Sequence, residues 1–259
     1  PLGEIEAVFL THFHSDHIDS LGELMLQRWA NGGHAEPLSV IGPSGVEQVV
    51  RGFNLAYAQD SVYRVAHHGE DVVPPSGFGG DPVPFELNQS GESQTVYNVD
   101  GLRIVMFPVK HDPVFPAVGY RFEFGGRSVV LSGDTAFSER LIAEASGADL
   151  LVHEALNTDM VAAIGGQAEA AGLDRAAHIM DDIPSYHATP AEAARVAKEA
   201  GVDMLVLSHL VPAVPDRRLV PYFLKGTKEV WDGPIIVAED GDVFSMRATE
   251  ERIRRSDLR

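Results

Sequence analysis

The sequence predicts an α/β fold in which helices cover the faces of sheets. Two observations carry this. Strand-like apolar runs alternate with helix-like amphipathic runs at both ends of the 259-residue chain. Between them lies a block of β-rich runs separated by Asp-Gly and Gly-Gly turns. A third observation bears on domain count. There is no internal repeat and no long linker, so one domain over 1–259 is the economical reading.

In chain order, "IEAVFLT" (5–11) reads as a buried strand ending at a polar turn. "DSLGELMLQRWA" (19–30) places apolar residues at helical spacing behind an Asp-Ser start. "PLSVIGP" reads as a strand stopped by Gly-Pro, and "SGVEQVVRGFNLAYAQ" (44–59) as a second helix. Residues 60–95, with "VVPPSGFGGDPVP" inside, read as an irregular insertion or lid. Tyr63, Phe78 and Phe85 are available there to wall a pocket. "TVYNV", "LRIVMFPV", "AVGYRFEF" and "SVVLSG" then form an antiparallel meander. "SERLIAEAS" is helix, "ADLLVHEA" strand, and the stretch from 157 to about 180 is mostly helical. "TPAEAARVAKEAG" is helix, "VDMLVLSH" strand, "VPYFLKGTKEVW" helix, and "PIIVAED" and "DVFSMRA" are strands. The tail, 248–259, carries the one dense basic cluster, "ERIRRSDLR", and reads as frayed.

Composition narrows the function. Hydrophobic residues make up 44% and charged residues 22%, an ordinary soluble balance. No apolar run reaches the roughly eighteen residues of a membrane span, so no membrane partner is expected. No basic leader precedes the first apolar run, and Pro1 is not an initiator methionine. The expected location is cytoplasmic or periplasmic. The formal net charge of −18 disfavours a phosphate-rich partner without excluding one. Cysteine is absent, which removes disulfides, thiolate zinc sites and cysteine nucleophiles. Any metal must be held by His, Asp or Glu, a donor set that suits hydrolytic ions.

One stretch stands out. "THFHSDHID" (11–19) brings His12, His14, Asp16 and His17 together directly after an apolar strand. Burying four such groups unpaired would cost several kcal/mol of desolvation, and a metal ion removes that cost. Three further donors follow apolar runs: His111 after "LRIVMFPVK", Asp134 in "VVLSGDT" and His209 after "VDMLVLS". Seven donors exceed what one tetrahedral ion takes and suit two ions sharing a carboxylate. His34, His67, His68, His153 and His178 read as surface or capping residues.

The order His12-x-His-x-Asp-His17, then His111, then "SGDT" with Asp134, then "SH" with His209, resembles the metallo-β-lactamase superfamily over essentially the whole chain. The resemblance implies an αββα four-layer sandwich with a dinuclear centre at strand ends. It assigns His12, His14 and His111 to the first ion and Asp16, His17 and His209 to the second. Asp134 bridges the two. The ions would be two divalent metals, zinc first, with Mn²⁺ or Fe²⁺ as alternatives. The bridging residue is Asp and no Cys is available, which resembles the RNase Z-like and arylsulfatase-like branch. "SYHATP" (185–190) is similar to that branch's H-x-T region, where His187 would be a general acid rather than a ligand. "LLVHEA" (150–155) is similar too, with Glu154 placed to orient His187. Asp16 would also steer the proton of the metal-bound hydroxide that attacks the substrate.

RNase Z grips tRNA with a long basic arm, expected between the positions of His111 and Asp134. Here that interval is "DPVFPAVGYRFEFGGRSVVLSG", which two strands and a turn use up. With the acidic charge, this favours a small phosphodiester or aryl sulfate ester. The alternatives are a tRNA 3′-processing endoribonuclease, a lactone or β-lactam hydrolase, and a metal-binding scaffold with vestigial catalysis. Several strands precede the histidine motif in the family, against eleven residues here. The chain as written is therefore expected to lack N-terminal strands. A partner covering strand 5–11 makes a homodimer the expected assembly.

Overall fold

The computed structural model describes residues 2–87, 91–250 and 252–258. The chain resolves into two compact units, Pro1–Gly91 and Glu92–Arg259.

The first unit is built on a three-stranded parallel sheet, β1 (Ala7–Phe9), β2 (Leu38–Pro43) and β3 (Gly80–Phe85), in that order. Parallel neighbours need crossovers, and helices supply them. A single turn, α1 (Ser15–Ile18), and α2 (Leu21–Ala30) lead from β1 to β2. The long α3 (Val46–His68) leads from β2 to β3. Leu21, Met25, Leu38, Val40, Val46 and Val50 fill the core between these helices and the sheet.

Within 60–95, where composition suggested an irregular insertion or lid, residues 60–68 are helix and 80–85 strand, and residues 88–90 lie outside the described ones. Helix α3 continues to His68 because nothing before Gly69 can stop it, and Arg64 pairs with Asp60 one turn back (2.6 Å). Gly69, at φ 82°, then ends the helix. The second half of the Pro-rich stretch is strand β3. Among the described residues it pairs only with β2, which leaves its other side open. Pro82 and Pro84 are two apart, so both missing N–H groups point to that open side.

The second unit carries a seven-stranded sheet in the order β10-β9-β8-β7-β6-β5-β4. Strands β4 (Gln94–Val99), β5 (Leu102–Pro108), β6 (Val118–Phe124) and β7 (Arg127–Leu131) form the expected antiparallel meander. The Asp100-Gly101 and Gly125-Gly126 turns both have positive φ at their two central residues, the geometry that matches strand twist in a tight hairpin. From β7 onward the sheet is parallel. Helix α4 (Glu139–Glu144) leads to β8 (Leu150–Leu156). Helices α5 (Thr158–Ala170), α6 (Asp174–Asp182) and α7 (Pro190–Ala200) lead to β9 (Met204–Val211). Two short helices, α8 (Val220–Phe223) and α9 (Thr227–Val230), lead to β10 (Ile235–Val237). A single helix was expected over that last crossover. Gly226, at φ 88°, breaks it.

The core of this unit holds Phe107, Val130, Leu141, Leu151, Leu205 and Leu207, all buried. Truncating any of these leucines to alanine would cost about 2–5 kcal/mol. Helix α7 offers Ala193, Ala194, Val196, Ala197 and Ala200 to it, mostly small side chains, which brings the helix close over β8 and β9. The tail also departs from expectation. β12 (Arg254–Asp257) pairs antiparallel with β11 (Asp242–Ser245), and Arg255 grips Asp242 through two bonds of 2.7 Å. That contact holds the Asp242 carboxyl below its usual pKa.

Candidate metal centre

Each unit carries a set of donors of its own. In the first, His12 and His14 sit in the turn after β1, and Asp16 and His17 on the single turn of α1. His12 is fully buried, and its Nε2 lies 3.0 Å from Nδ1 of His14. The His12 and His17 ring centroids are 4.1 Å apart, and His17 Nε2 is 3.4 Å from Asp16 Oδ2. The sequence placed these four side chains at one strand end, and they do gather there.

In the second unit, His111 lies three residues past β5 and Asp134 three residues past β7. His209 was expected just beyond its strand. It lies inside β9, at a bulge. Glu154 pairs with Ser208 and Ala155 with Leu210, so the register shifts at His209. Its φ of 48° turns the side chain out of the sheet's alternation. Nε2 of His209 ends 3.7 Å from Asp134 Oδ2, and Nε2 of His111 lies 3.9 Å from the same oxygen.

This donor set fits a divalent ion. His111 Nδ1–H donates to the backbone carbonyl of Tyr186 at 3.0 Å, which leaves Nε2 as the lone pair facing Asp134. Asp134 is buried, and the two nitrogens stand off its oxygen by more than a hydrogen bond. The Asp134 carboxylate and the His111 lone pair turned toward one point repel each other, and a cation between them relieves this. Asp134, His187 and His209 each offer an atom within 4.8 Å of the other two. All these donors are nitrogen or carboxylate oxygen, the ligands of hydrolytic metals.

Glu154 and His187 form a separate buried pair. Glu154 Oε1 accepts from His187 Nδ1 (2.9 Å) and from the amides of Thr135 (3.1 Å) and Ala188 (3.2 Å). Three donors converge on one carboxylate oxygen. That carboxylate fixes the proton of His187 on Nδ1. The His187 ring stacks parallel to His209 at 6.0 Å and meets His111 edge-on at 5.3 Å. It is held in place because α7 begins three residues later behind a complete capping box, Thr189 and Glu192, with Pro190 in its first turn.

Three contributors escaped the sequence reading. Thr135 ties two loops together: Lys110 N–H donates to its Oγ1 (3.1 Å), and its own hydroxyl donates to the Ala136 carbonyl (2.7 Å). It follows Asp134 in "SGDT", which was the available signal. Tyr186 orients His111 through its carbonyl and packs its ring on His111 (5.5 Å) and His187 (5.1 Å). Burial raises its phenol pKa, so it stays a neutral donor. Ser132 Oγ accepts from the Glu154 amide at 3.1 Å.

Other expectations change. Tyr63 is exposed on α3, Phe85 is half-buried on β3, and Phe78 packs edge-on against Trp29 at 5.1 Å. The pocket wall the three were expected to share is not seen among the described residues. His34 caps Arg28, while His67, His68 and His178 are exposed, as expected. His153 is not a surface residue but fully buried on β8, with Nδ1 on the Glu154 carbonyl at 2.7 Å. Burial pushes its pKa down against the pull of Glu154. Below about pH 6.5 the unfolded chain takes up a proton there that the buried ring refuses. Stability is therefore full above that pH and falls as pH drops below it. His153→Asn, which keeps a donor for the carbonyl, should flatten this acid limb in urea titrations between about pH 5 and 7. An unchanged slope would remove His153 as its source.

Comparison with known proteins follows the same lines. A family model described as "Beta-lactamase superfamily domain" matches residues 1–210. Ribonuclease Z of Mycobacterium bovis (strain BCG / Pasteur 1173P2) is 38% identical over 212 residues, covering 81% of this chain and 69% of its own. The chain belongs to the metallo-β-lactamase superfamily. A putative ribonuclease Z of Mycobacterium tuberculosis (strain CDC 1551 / Oshkosh) is also 38% identical, over 80% of this chain and 84% of its own. Among solved structures, the metallo-β-lactamase fold protein YhfI of Bacillus subtilis aligns with a TM-score of 0.59 at 23% identity, over 92% of this chain and 76% of its own. Human tRNase Z, short form, aligns at 0.57 and 22% identity, over 93% and 78%. This superfamily member is a metal-dependent hydrolase acting on ester bonds. Among the described residues, no helix is long and apolar enough to cross a membrane.

Proposed function

We propose that this superfamily member is a phosphodiesterase of the RNase Z type that cuts RNA at the 3′ side of tRNA. The observation that carries it is the Glu154–His187 pair beside the His111, Asp134 and His209 donors, in a chain whose 38%-identical relatives are named ribonuclease Z. By the resemblance, His12, His14 and His111 would hold one divalent ion, zinc first, and Asp16, His17 and His209 a second, with Asp134 available to both. Two such ions, when bound, polarise the phosphoryl oxygens and make water a nucleophile at neutral pH.

The chain's own residues do the rest. Asp16 accepts the proton of the attacking water. His187, anchored at Nδ1 by Glu154, delivers a proton from Nε2 to the leaving alkoxide. Glu154 stabilises the charged ring before that transfer.

A second reading keeps the same chemistry on a small phosphodiester or aryl sulfate. It is favoured by the net charge of −18 and by the interval from His111 to Asp134, which β6 and β7 fill. One panel separates the two: zinc-loaded protein with a tRNA precursor, bis(p-nitrophenyl) phosphate, p-nitrophenyl sulfate and a lactone. Cleavage of the precursor next to the tRNA body is the expected result. Turnover of the small esters alone would overturn the endoribonuclease reading, and bound metal without any turnover would mark a scaffold.

A further inference from the structure

We propose that the loop after His111 is a substrate-strand platform, with Phe115 stacking on a nucleobase next to the cut and Lys110 meeting the neighbouring phosphate. The proposal rests on the endoribonuclease reading and names how that site would hold its RNA.

Phe115 is 79% exposed. Among the described large apolar side chains only Leu258, near the C-terminus, is more exposed, at 81%. An aromatic ring left in water is costly unless something covers it in use. Phe115 is also presented rigidly. Val109 N–H bonds to the Ala117 carbonyl (3.1 Å) and closes the loop at its base. Val114 N–H bonds to the His111 carbonyl (2.8 Å), and Pro113 and Pro116 restrict the chain on either side. Lys110 is exposed, and its backbone is held at both ends: its N–H donates to Thr135 Oγ1, and its carbonyl accepts from Ala136 N–H (2.7 Å).

Distance makes the placement useful. The turn from His111 to Val114 keeps their Cα atoms within about 7 Å, and one further residue adds about 3.8 Å. The Phe115 Cα therefore lies within about 11 Å of the Cα of His111. That is the reach of a nucleotide beside the one being cut. A pre-ordered ring costs little entropy to use, and stacking tolerates any base. In a chain this acidic, a fixed lysine next to the donors offers a local partner for phosphate.

The test is kinetic. Phe115→Ala should raise KM for a tRNA precursor about tenfold to a hundredfold, with kcat within about twofold. Phe115→Trp should restore KM. A precursor with an abasic nucleotide beside the cut should bring wild type and Phe115→Ala to the same KM. Lys110→Ala should lower the salt dependence of KM by about one unit of slope. If the precursor is cleaved and Phe115→Ala keeps the wild-type KM, this proposal fails and the endoribonuclease reading stands. If wild type cuts no RNA, both fail. A change of oligomeric state in gel filtration accompanying the KM change would make Phe115 a contact between copies and also overturn it.

Discussion

Asp134→Asn should remove bound metal and turnover together. The carboxylate is buried, and Nε2 of both His111 and His209 stands within 4 Å of one of its oxygens. Asparagine has nearly the same shape but removes the charge that balances the cations. Turnover should drop by more than about 10⁴-fold, because no remaining residue can take over a shared ligand. Metal analysis of the purified variant gives the first readout. The second is stability. Zinc at about 1,000 times its dissociation constant should stabilise wild type by about 4 kcal/mol and the variant by far less. Normal metal content and a normal zinc-dependent melting shift in an inactive variant would show that Asp134 is not a ligand.

His187→Ala should leave metal content unchanged and lower turnover by ~10²–10⁴, the loss typical of a missing general acid. The loss should be largest on an RNA, whose alkoxide leaves poorly, and smallest on p-nitrophenyl esters, whose phenolate leaves without help. Glu154→Gln should follow the same pattern more weakly, because it keeps the geometry and loses the charge that holds the Nδ1 proton. The placement of Asp134, His187 and His209 allows another outcome. If His187→Ala loses metal as well as activity, His187 is a ligand and the acid lies elsewhere. Full turnover on poor leaving groups would end the general-acid role.

The legible parts of the fold are those set by local chemistry. The meander could be read because Asp100-Gly101 and Gly125-Gly126 adopt the positive φ that their residue types allow. The helix at "TPAEAARVAKEAG" could be read for the same reason: the groups that cap it, on Thr189 and Glu192, are three residues apart in the chain. Pro82 and Pro84 misled, since proline marks a break unless the strand has an open side, and only the sheet order reveals that. His153 misled because burial is a property of what packs over a residue.

The donor residues of this hydrolase are a property of its sequence. Seven His and Asp side chains at the ends of apolar runs, with no cysteine, point to ions held by nitrogen and oxygen before any fold is known. Tertiary structure decided how those donors are aimed. The bulge at His209 needs β8 alongside β9, and the tautomer of His111 depends on the Tyr186 carbonyl, which lies 75 residues away. Three donors from two distant segments, Thr135 and His187–Ala188, meet on Glu154 Oε1. Spacing along the chain records which atoms are present. Direction, protonation and dielectric come from neighbours distant in sequence, and only the packed chain brings those together.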